Sequence, residues 1–204
     1  MNGVTITFVN QSNDTNNSSL VILQKNVAAN LGELAVAWRV IKNMGRNWTY
    51  EIFYPLDVEV GVEDAYGNRS DRHYSINGQR WEVNQADAGS SLSLASQPAA
   101  SLQEVEIQNN FAAGSMNACV YRDGLLLAKK TGIVPKQKAV FQFTPVIWVG
   151  VVSQVEEGQF ISSAILSNIH QQVSLTSLTS IKIILTGGGT GPNAQPFSFE
   201  VIKV

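Results

Sequence analysis

Short segments of alternating apolar and polar residues recur along the whole chain. Ile6-Thr7-Phe8-Val9 and Val105-Glu106-Ile107-Gln108 both alternate, and clusters of Asn, Gly, Pro and Ser separate such segments. Alternation with a period of two residues places successive side chains on opposite faces of a strand. Turn-forming clusters at regular spacing then mark the ends of short strands. The pattern predicts an all-β protein.

The same order of segments occurs twice, on either side of a Ser- and Ala-rich stretch. Self-similarity of this length indicates architecture before any motif does. We therefore expect two tandem antiparallel β-sandwich modules, residues 1–97 and 98–204, although one larger pseudo-symmetric sandwich would satisfy the same repeat. The corresponding segments are Ile6–Asn10 with Val105–Asn109, Leu20–Asn26 with Ala118–Gly124, Phe53–Pro55 with Phe143–Pro145, Val60–Val62 with Val149–Val151, and Arg80–Val83 with Ile181–Ile184.

Two segments have mixed helix and strand signals. Residues 27–41 contain Ala and Leu at positions that a helix tolerates, but the second half alternates, so we predict a strand over Glu33–Lys42 after a possible helical turn. In Phe160–His170 the apolar residues could line one face of a short helix. A single helical turn there leaves the all-β class unchanged.

Glycine-containing turns indicate hairpins. Asp123-Gly124 favours a tight hairpin turn, because both central residues must tolerate positive φ. The Gly-rich run Gly187–Gly191 is followed by Pro192 and a strand rather than by a helix, which a phosphate-binding loop would need. We interpret this run as a hairpin loop as well.

Composition and charge exclude several function classes. The chain has 204 residues and a formal charge of −2 without a long Lys/Arg run, which argues against a nucleic-acid partner. Its single cysteine, Cys119, lies in an apolar segment and is expected to be a buried, inert thiol with no disulfide. The first residues read as a strand rather than a signal peptide, so a cytoplasmic location is expected. No apolar run is long enough for a transmembrane segment.

No catalytic or metal constellation is visible in the sequence. The two histidines, His73 and His170, have no partner at metal-ligand or triad spacing. A cation site could be formed by nearby carboxylates, but a charged solvent-facing strand explains them better. These carboxylates are Asp57, Glu59, Glu63, Asp64 and Asp71. We therefore predict that the protein is not an enzyme and uses no cofactor or metal.

Aromatic residues within polar segments give the candidate ligand site. Aromatic rings cover the apolar face of a sugar while Asp and Asn bind its hydroxyls, and the same residue types are enriched at protein interfaces. Core packing is the alternative for Trp48, because it alternates in step with Tyr50, Ile52 and Tyr54. The other three tryptophans, Trp38, Trp81 and Trp148, are expected in the core. The predicted ligand-binding residues, proposed to share one shallow groove, are Trp48, Tyr50, Tyr66, Asn68, Asp71 and Tyr74.

The nearly continuous apolar segment Val146–Val152 predicts a strand buried on both faces, inside a sandwich or beneath another subunit. It is the basis for expecting a homo-oligomer. Our leading functional hypothesis is a lectin-like β-sandwich binding protein that recognises a carbohydrate or a protein surface. A structural, self-assembling protein is the alternative, and a membrane-active β-sandwich toxin is less favoured because no amphipathic insertion helix is evident.

Overall fold

A computed structural model describes residues 2–14, 18–28, 35–86, 89–169 and 171–203. The all-β prediction is confirmed, since 55% of the structure is strand and 3% is helix. In the first part of the chain the strands are β1 (Gly3–Asn10), β2 (Ser19–Leu23), β3 (Ala35–Val36), β4 (Arg39–Ile41), β5 (Thr49–Pro55), β6 (Val58–Glu63), β7 (His73–Ser75), β8 (Arg80–Ala86) and β9 (Gly89–Leu94).

The second part of the chain adds nine more strands and two short helical turns. These are β10 (Val105–Asn109), β11 (Met116–Arg122), β12 (Leu125–Ile133), β13 (Lys138–Phe141), β14 (Val146–Val152), β15 (Phe160–Ile161), α1 (Ser163–Leu166), β16 (Gln171–Ser174), β17 (Ser180–Gly188), a 3₁₀ turn (Gly191–Asn193) and β18 (Gln195–Lys203).

The chain divides into two compact units, and neither is continuous in sequence. Unit 1 contains residues 1–24, 34–56 and 145–204, and unit 2 contains residues 25–33 and 57–144. The sequence-based division at residue 97 follows the repeat, whereas the compact units combine strands from both sides of it. The division into two modules, residues 1–97 and 98–204, therefore stays a prediction, because the compact units do not follow it.

Unit 1 has two four-stranded sheets, with strand orders β18-β17-β1-β5 and β16-β14-β2-β4, and a small β15-β3 pair. In β1, Val4, Ile6 and Phe8 are buried, as the alternation predicted. β1 pairs antiparallel with β5 but parallel with β17, with Thr5 opposite Ser180. The parallel pair departs from the antiparallel prediction, because β17 enters this sheet from a distant part of the chain.

A second apolar layer covers one face of the β2–β14 sheet in unit 1. All five residues of β2 are buried, and Val21 and Leu23 pack with Val155, Ile161 and Ile169. Trp148 is half-buried against this layer instead of lying fully in the core. The segment after β14 thus covers the apolar strand within its own unit, so the composition of Val146–Val152 is explained without a partner subunit.

The layer comes closest to the sheet at Gly150. A β-carbon at this position would lie 2.6 Å from the Ile169 Cα and 2.7 Å from the Asn168 carbonyl oxygen. These neighbours are main-chain atoms and cannot rotate away. Glycine is therefore required for the segment around Ile169 to pack on β14.

Unit 2 also has two four-stranded sheets, with strand orders β13-β10-β8-β9 and β12-β11-β6-β7. β10 is parallel to β8 and antiparallel to β13. Trp81 and Cys119 are buried, as predicted, and burial raises the pKa of the Cys119 thiol. In the predicted hairpin, Asp123 and Gly124 both have positive φ and connect β11 to β12.

An ion cluster fixes the segment before β10 in unit 2. The fully buried Glu106 carboxylate accepts hydrogen bonds from Arg80 Nε at 2.7 Å, Lys138 Nζ at 2.5 Å and the Ala100 amide at 3.0 Å. Burial favours the neutral acid, but these donors together hold the pKa of Glu106 below its ordinary value.

Two local predictions need correction or refinement. The single strand predicted over Glu33–Lys42 is wrong in its described part, because β3 pairs with β15 whereas β4 pairs with β2. Between them, the Trp38 amide donates to the Ile22 carbonyl and Trp38 is fully buried. In the region around residue 165 the helical alternative is confirmed as the single turn α1; Glu33, Leu34 and His170 lie outside the described residues.

Candidate functional site

Trp48 and Tyr50 lie on unit 1, at the start of β5, and both are exposed. The exposed fraction is 65% for Trp48 and 45% for Tyr50. Ile52 and Tyr54, which continue the same alternation, are buried. The core-packing alternative is therefore wrong for Trp48 and Tyr50.

The buried end of β5, at Tyr54, is anchored by specific contacts. The Tyr54 ring meets the Trp38 ring edge-on, with 5.7 Å between centroids, and the Tyr54 hydroxyl accepts a hydrogen bond from Gln24 Nε2 at 2.8 Å. A buried Tyr needs such a partner for its hydroxyl. β5 is thus fixed at its Tyr54 end while its Trp48 end presents aromatic surface to solvent.

Asn10 holds the loop that carries Trp48. Its side-chain Nδ2 donates to the Met44 carbonyl at 2.5 Å, and its Oδ1 accepts from the Ser12 amide at 2.9 Å. Its main chain bonds the other side of the loop, since Asn47 N donates to Asn10 O at 2.6 Å and Asn10 N donates to Trp48 O at 3.0 Å. Because Asn10 is buried, water competes little for these bonds.

The loop backbone also has little freedom to rearrange. Asn43 and Asn47 have φ values of +53° and +64°, in the left-handed region that Asn tolerates better than most residues. The Trp48 amide donates to the Gly45 carbonyl at 3.1 Å. The exposed indole therefore stands on a loop that hydrogen bonds to Asn10 and within the loop hold in place.

On unit 2, Tyr66 and Asn68 lie on a loop organised by Asp64. The Asp64 carboxylate accepts from the Tyr66 and Asn68 amides and from Asn68 Nδ2, at 2.8–2.9 Å. These bonds, the one from the Asn68 side chain above all, lower the pKa of Asp64. Tyr66 is 92% exposed at the loop tip, but the Asn68 amide group is already engaged.

Asp71 and Tyr74 come next along unit 2, before and within β7. Tyr74 is 75% exposed and lies opposite Glu59 in the β6–β7 pair. Asp71 lines a cleft of about 360 Å³ together with residues that the sequence did not single out as a site. The other lining residues are Ser70, His73, Ala86, Gly89, Ser90, Ser91 and Leu92.

His73 has a structural anchor inside this cleft. Its ring lies 5.2 Å from that of Trp81, measured between centroids, and Trp81 Nε1 donates to Ser75 Oγ at 2.9 Å. The pairing of His73 with the core Trp81 was not visible in the sequence, because the two residues lie on different strands. The Ser-rich composition of β9 was the available signal for a polar cleft.

The predicted site residues thus fall into two sets. Trp48 and Tyr50 belong to unit 1, whereas Tyr66, Asn68, Asp71 and Tyr74 belong to unit 2. Of the second set, Asp71 lines the cleft and Tyr66, Asn68 and Tyr74 do not. The single groove that would contain all of them stays a prediction.

Glu63, the acidic residue before Asp64, takes part in ion pairs. Glu63 bonds Lys129 Nζ at 2.6 Å, Arg69 Nε at 3.3 Å and Asn117 Nδ2 at 3.2 Å, and the hydrogen bond from Lys129 contributes most to lowering its pKa. Arg72 lies over the Tyr121 ring at 3.9 Å. Within the described ranges, no group of three His, Cys, Asp or Glu side chains is placed to hold a metal ion.

Comparison with known proteins assigns no family. The chain matches no protein-family model, no curated protein and no solved structure at a significant level. Among the residues that the structure describes, no helix is long and apolar enough to cross a membrane.

Proposed function

We propose that the protein is a non-enzymatic binding protein that recognises a carbohydrate through Trp48 and Tyr50. The observation that carries the proposal is the exposure of Trp48 on a loop that Asn10 holds in one conformation. A fixed loop loses little conformational entropy when a ligand binds, so more of the contact energy contributes to affinity. An exposed indole provides the flat apolar area that the CH face of a sugar covers.

Polar groups beside the ring supply the other half of sugar recognition. Arg46 and Asn47 precede Trp48 on the same loop, and both are exposed. Their guanidinium and amide groups can donate and accept hydrogen bonds with sugar hydroxyls. A few exposed hydrogen bonds contribute only about 1 kcal/mol each, so the aromatic rings must supply most of the affinity.

A glycan array tests this function. The wild-type chain should bind a subset of glycans, and Trp48→Ala should weaken that binding at least about tenfold because the stacking surface is lost. Tyr66→Ala removes a more exposed ring from unit 2 and is the control: binding should be unchanged if Trp48 and Tyr50 bind the glycan without the residues of unit 2. The proposal fails if no glycan binds, or if Trp48→Ala and wild type bind equally.

Self-assembly is a second candidate, and the exposed strand β18 favours it. β18 is nine residues long, forms one edge of its sheet, and has no fully buried residue. Long edge strands offer unpaired main-chain groups to another chain. Sedimentation at increasing protein concentration tests this candidate, which predicts a mass above that of the 22.1 kDa chain. A homo-oligomer stays a prediction, as does a cytoplasmic location.

We also propose that the two units are β-sandwiches derived from one internal repeat. β1 lies between a parallel and an antiparallel neighbour in unit 1, as β10 does in unit 2. Asn109 repeats the contacts of Asn10: its Oδ1 accepts from the amide two residues later, and its carbonyl accepts from the Lys136 amide, where φ is +68°. Each unit would then combine strands from both copies of the repeat.

A further inference from the structure

The edge strand β9 of unit 2 lacks three features that commonly protect an edge strand, which are short length, lysine and proline. The four edge strands of this unit are β7, β9, β12 and β13. β7 is three residues long, β12 carries Lys129 and Lys130, and β13 carries Lys138. β9 is six residues long, Gly-Ser-Ser-Leu-Ser-Leu, with no charged residue and no proline. Short length, lysine and proline are the common means of blocking edge pairing.

The alternation of hydrogen bonds between β8 and β9 shows which residues of β9 direct their main-chain N–H and C=O groups to this open edge. The Ala95 amide donates to the Arg80 carbonyl at 2.9 Å, and Ala95 is opposite Arg80 in the register of β8 and β9. In an antiparallel pair the bonded residues alternate, so Ser93 and Ser91 also bond to β8. The N–H and C=O groups of Ser90, Leu92 and Leu94 therefore point away from β8, and no described residue bonds to them.

The cleft lies beside this edge, and its described lining residues carry a single formal charge. Ser90 and Leu92 line it from β9, and Asp71 lines it from the segment before β7. Asp71 is exposed, is the one Asp, Glu, Lys or Arg side chain among the described lining residues, which also include His73, and has no ion pair with any described residue. The cleft thus pairs a main-chain recognition edge with one anionic side chain.

We propose that β9 binds an extended peptide as an added strand, with a basic side chain of that peptide in the cleft against Asp71. Outward N–H and C=O groups recur every second residue along β9, a spacing of about 6.8 Å that another extended backbone matches and a sugar ring does not. The main-chain bonds supply affinity, and Asp71 supplies the preference for Lys or Arg. This inference does not rest on the carbohydrate proposal for unit 1.

A set of synthetic peptides tests the proposal on the full chain. The probes are acetylated, amidated heptapeptides of alternating Thr and Val, with Lys placed at each position in turn, and a matched set with Glu in place of Lys. Fluorescence anisotropy should show binding of Lys peptides and weaker binding of their Glu counterparts. Asp71→Asn should reduce the preference for Lys by about fivefold, the size of an exposed charge pair.

The edge itself is tested by Leu94→Pro, which removes one outward N–H but no bond to β8. Peptide binding should weaken about five- to tenfold, whereas Leu94→Thr, which keeps the N–H, should bind nearly as wild type does.

Equal urea midpoints for the variants would show that the fold is retained. Asp71→Asn provides the independent test if Leu94→Pro unfolds. Trp48→Ala should leave peptide binding unchanged. The proposal is overturned if no peptide binds, or if neither Leu94→Pro nor Asp71→Asn alters binding.

Discussion

The indole ring of Trp48 lies against Gly45, where a β-carbon would come within 3.2 Å of the ring. Glycine at this position lets the ring rest flat on the loop that Asn10 holds. One face of the indole is thereby supported, and the other face remains in solvent. This pairing distinguishes Trp48 from Trp38 and Trp81, which are enclosed by the cores of their own units.

The first prediction concerns fluorescence quenching. Because Trp48 is exposed while Trp38 and Trp81 are buried, Trp48 should account for most of the emission that iodide quenches. Trp48→Phe should lower the quenching constant severalfold. Trp148→Phe is the control and should lower it less, since Trp148 is half-buried. Equal quenching of Trp48→Phe and wild type would contradict the exposed placement.

The second prediction concerns Gly150. Gly150→Ala should destabilise the protein by about 3 kcal/mol, because the methyl group would collide with the main chain at Ile169. Gly61→Ala is the matched control, since its nearest contacts are side-chain atoms at 3.4 Å or more, and it should cost less than about 1 kcal/mol. Urea unfolding measures both, and equal losses would argue against the close packing on β14.

The third prediction concerns the two buried asparagines. Asn10→Ala and Asn109→Ala should each lower the free energy of unfolding by about 2 kcal/mol, because each leaves the buried amide two residues later without the side-chain oxygen that accepts its hydrogen bond. Asn84→Ala, at an exposed position in β8, should change it by less than about 0.5 kcal/mol. If only one of the two buried asparagines matters, the proposed correspondence between the units loses its main support.

The fourth prediction concerns pH. The pKa of Glu106 is below its ordinary value of 4.5 in the folded protein, so its contribution to stability is complete above that pH. The contribution should disappear as the pH falls below 4.5 and through the lower folded pKa. Glu106→Gln should cost about 2 kcal/mol at neutral pH, less than for a fully enclosed pair because Arg80 and Lys138 retain solvent contact.

Urea titrations at several pH values between 3 and 7 measure this effect. Wild type should lose stability more steeply than Glu106→Gln below the ordinary pKa of the carboxyl group. Parallel curves for the two proteins would mean that Glu106 does not retain its charge to lower pH in the folded state.

Most of the correct predictions came from the alternation of apolar and polar residues along single strands. Val4, Ile6 and Phe8 were identifiable as core residues because a period of two reports directly on one buried face. The exposure of Trp48 was not identifiable this way, since it shares its alternation with the buried Tyr54. Burial at that end of β5 depends on what covers the strand, which a local pattern does not contain.

Long-range pairing was the main feature that the sequence did not predict. The parallel register between β1 and β17 joins Thr5 to Ser180, and no local signal links those positions. The cleft was missed for a related reason, since Asp71 and Ser90 come together through separate strands. By contrast, the hairpin at Asp123-Gly124 was predictable because its determinants are adjacent in sequence.

Unit 1 is built from segments that are far apart in sequence, which has a consequence for synthesis on the ribosome. Strand β1 precedes unit 2 in the chain, whereas its parallel partner β17, which begins at Ser180, follows unit 2. All the strands of unit 2 are translated before that point, so unit 2 can fold while β1 still lacks a neighbour on one side. The nascent chain therefore carries β1 without its parallel partner while the strands of unit 2 are synthesised, and association between neighbouring nascent chains is a hazard in that period.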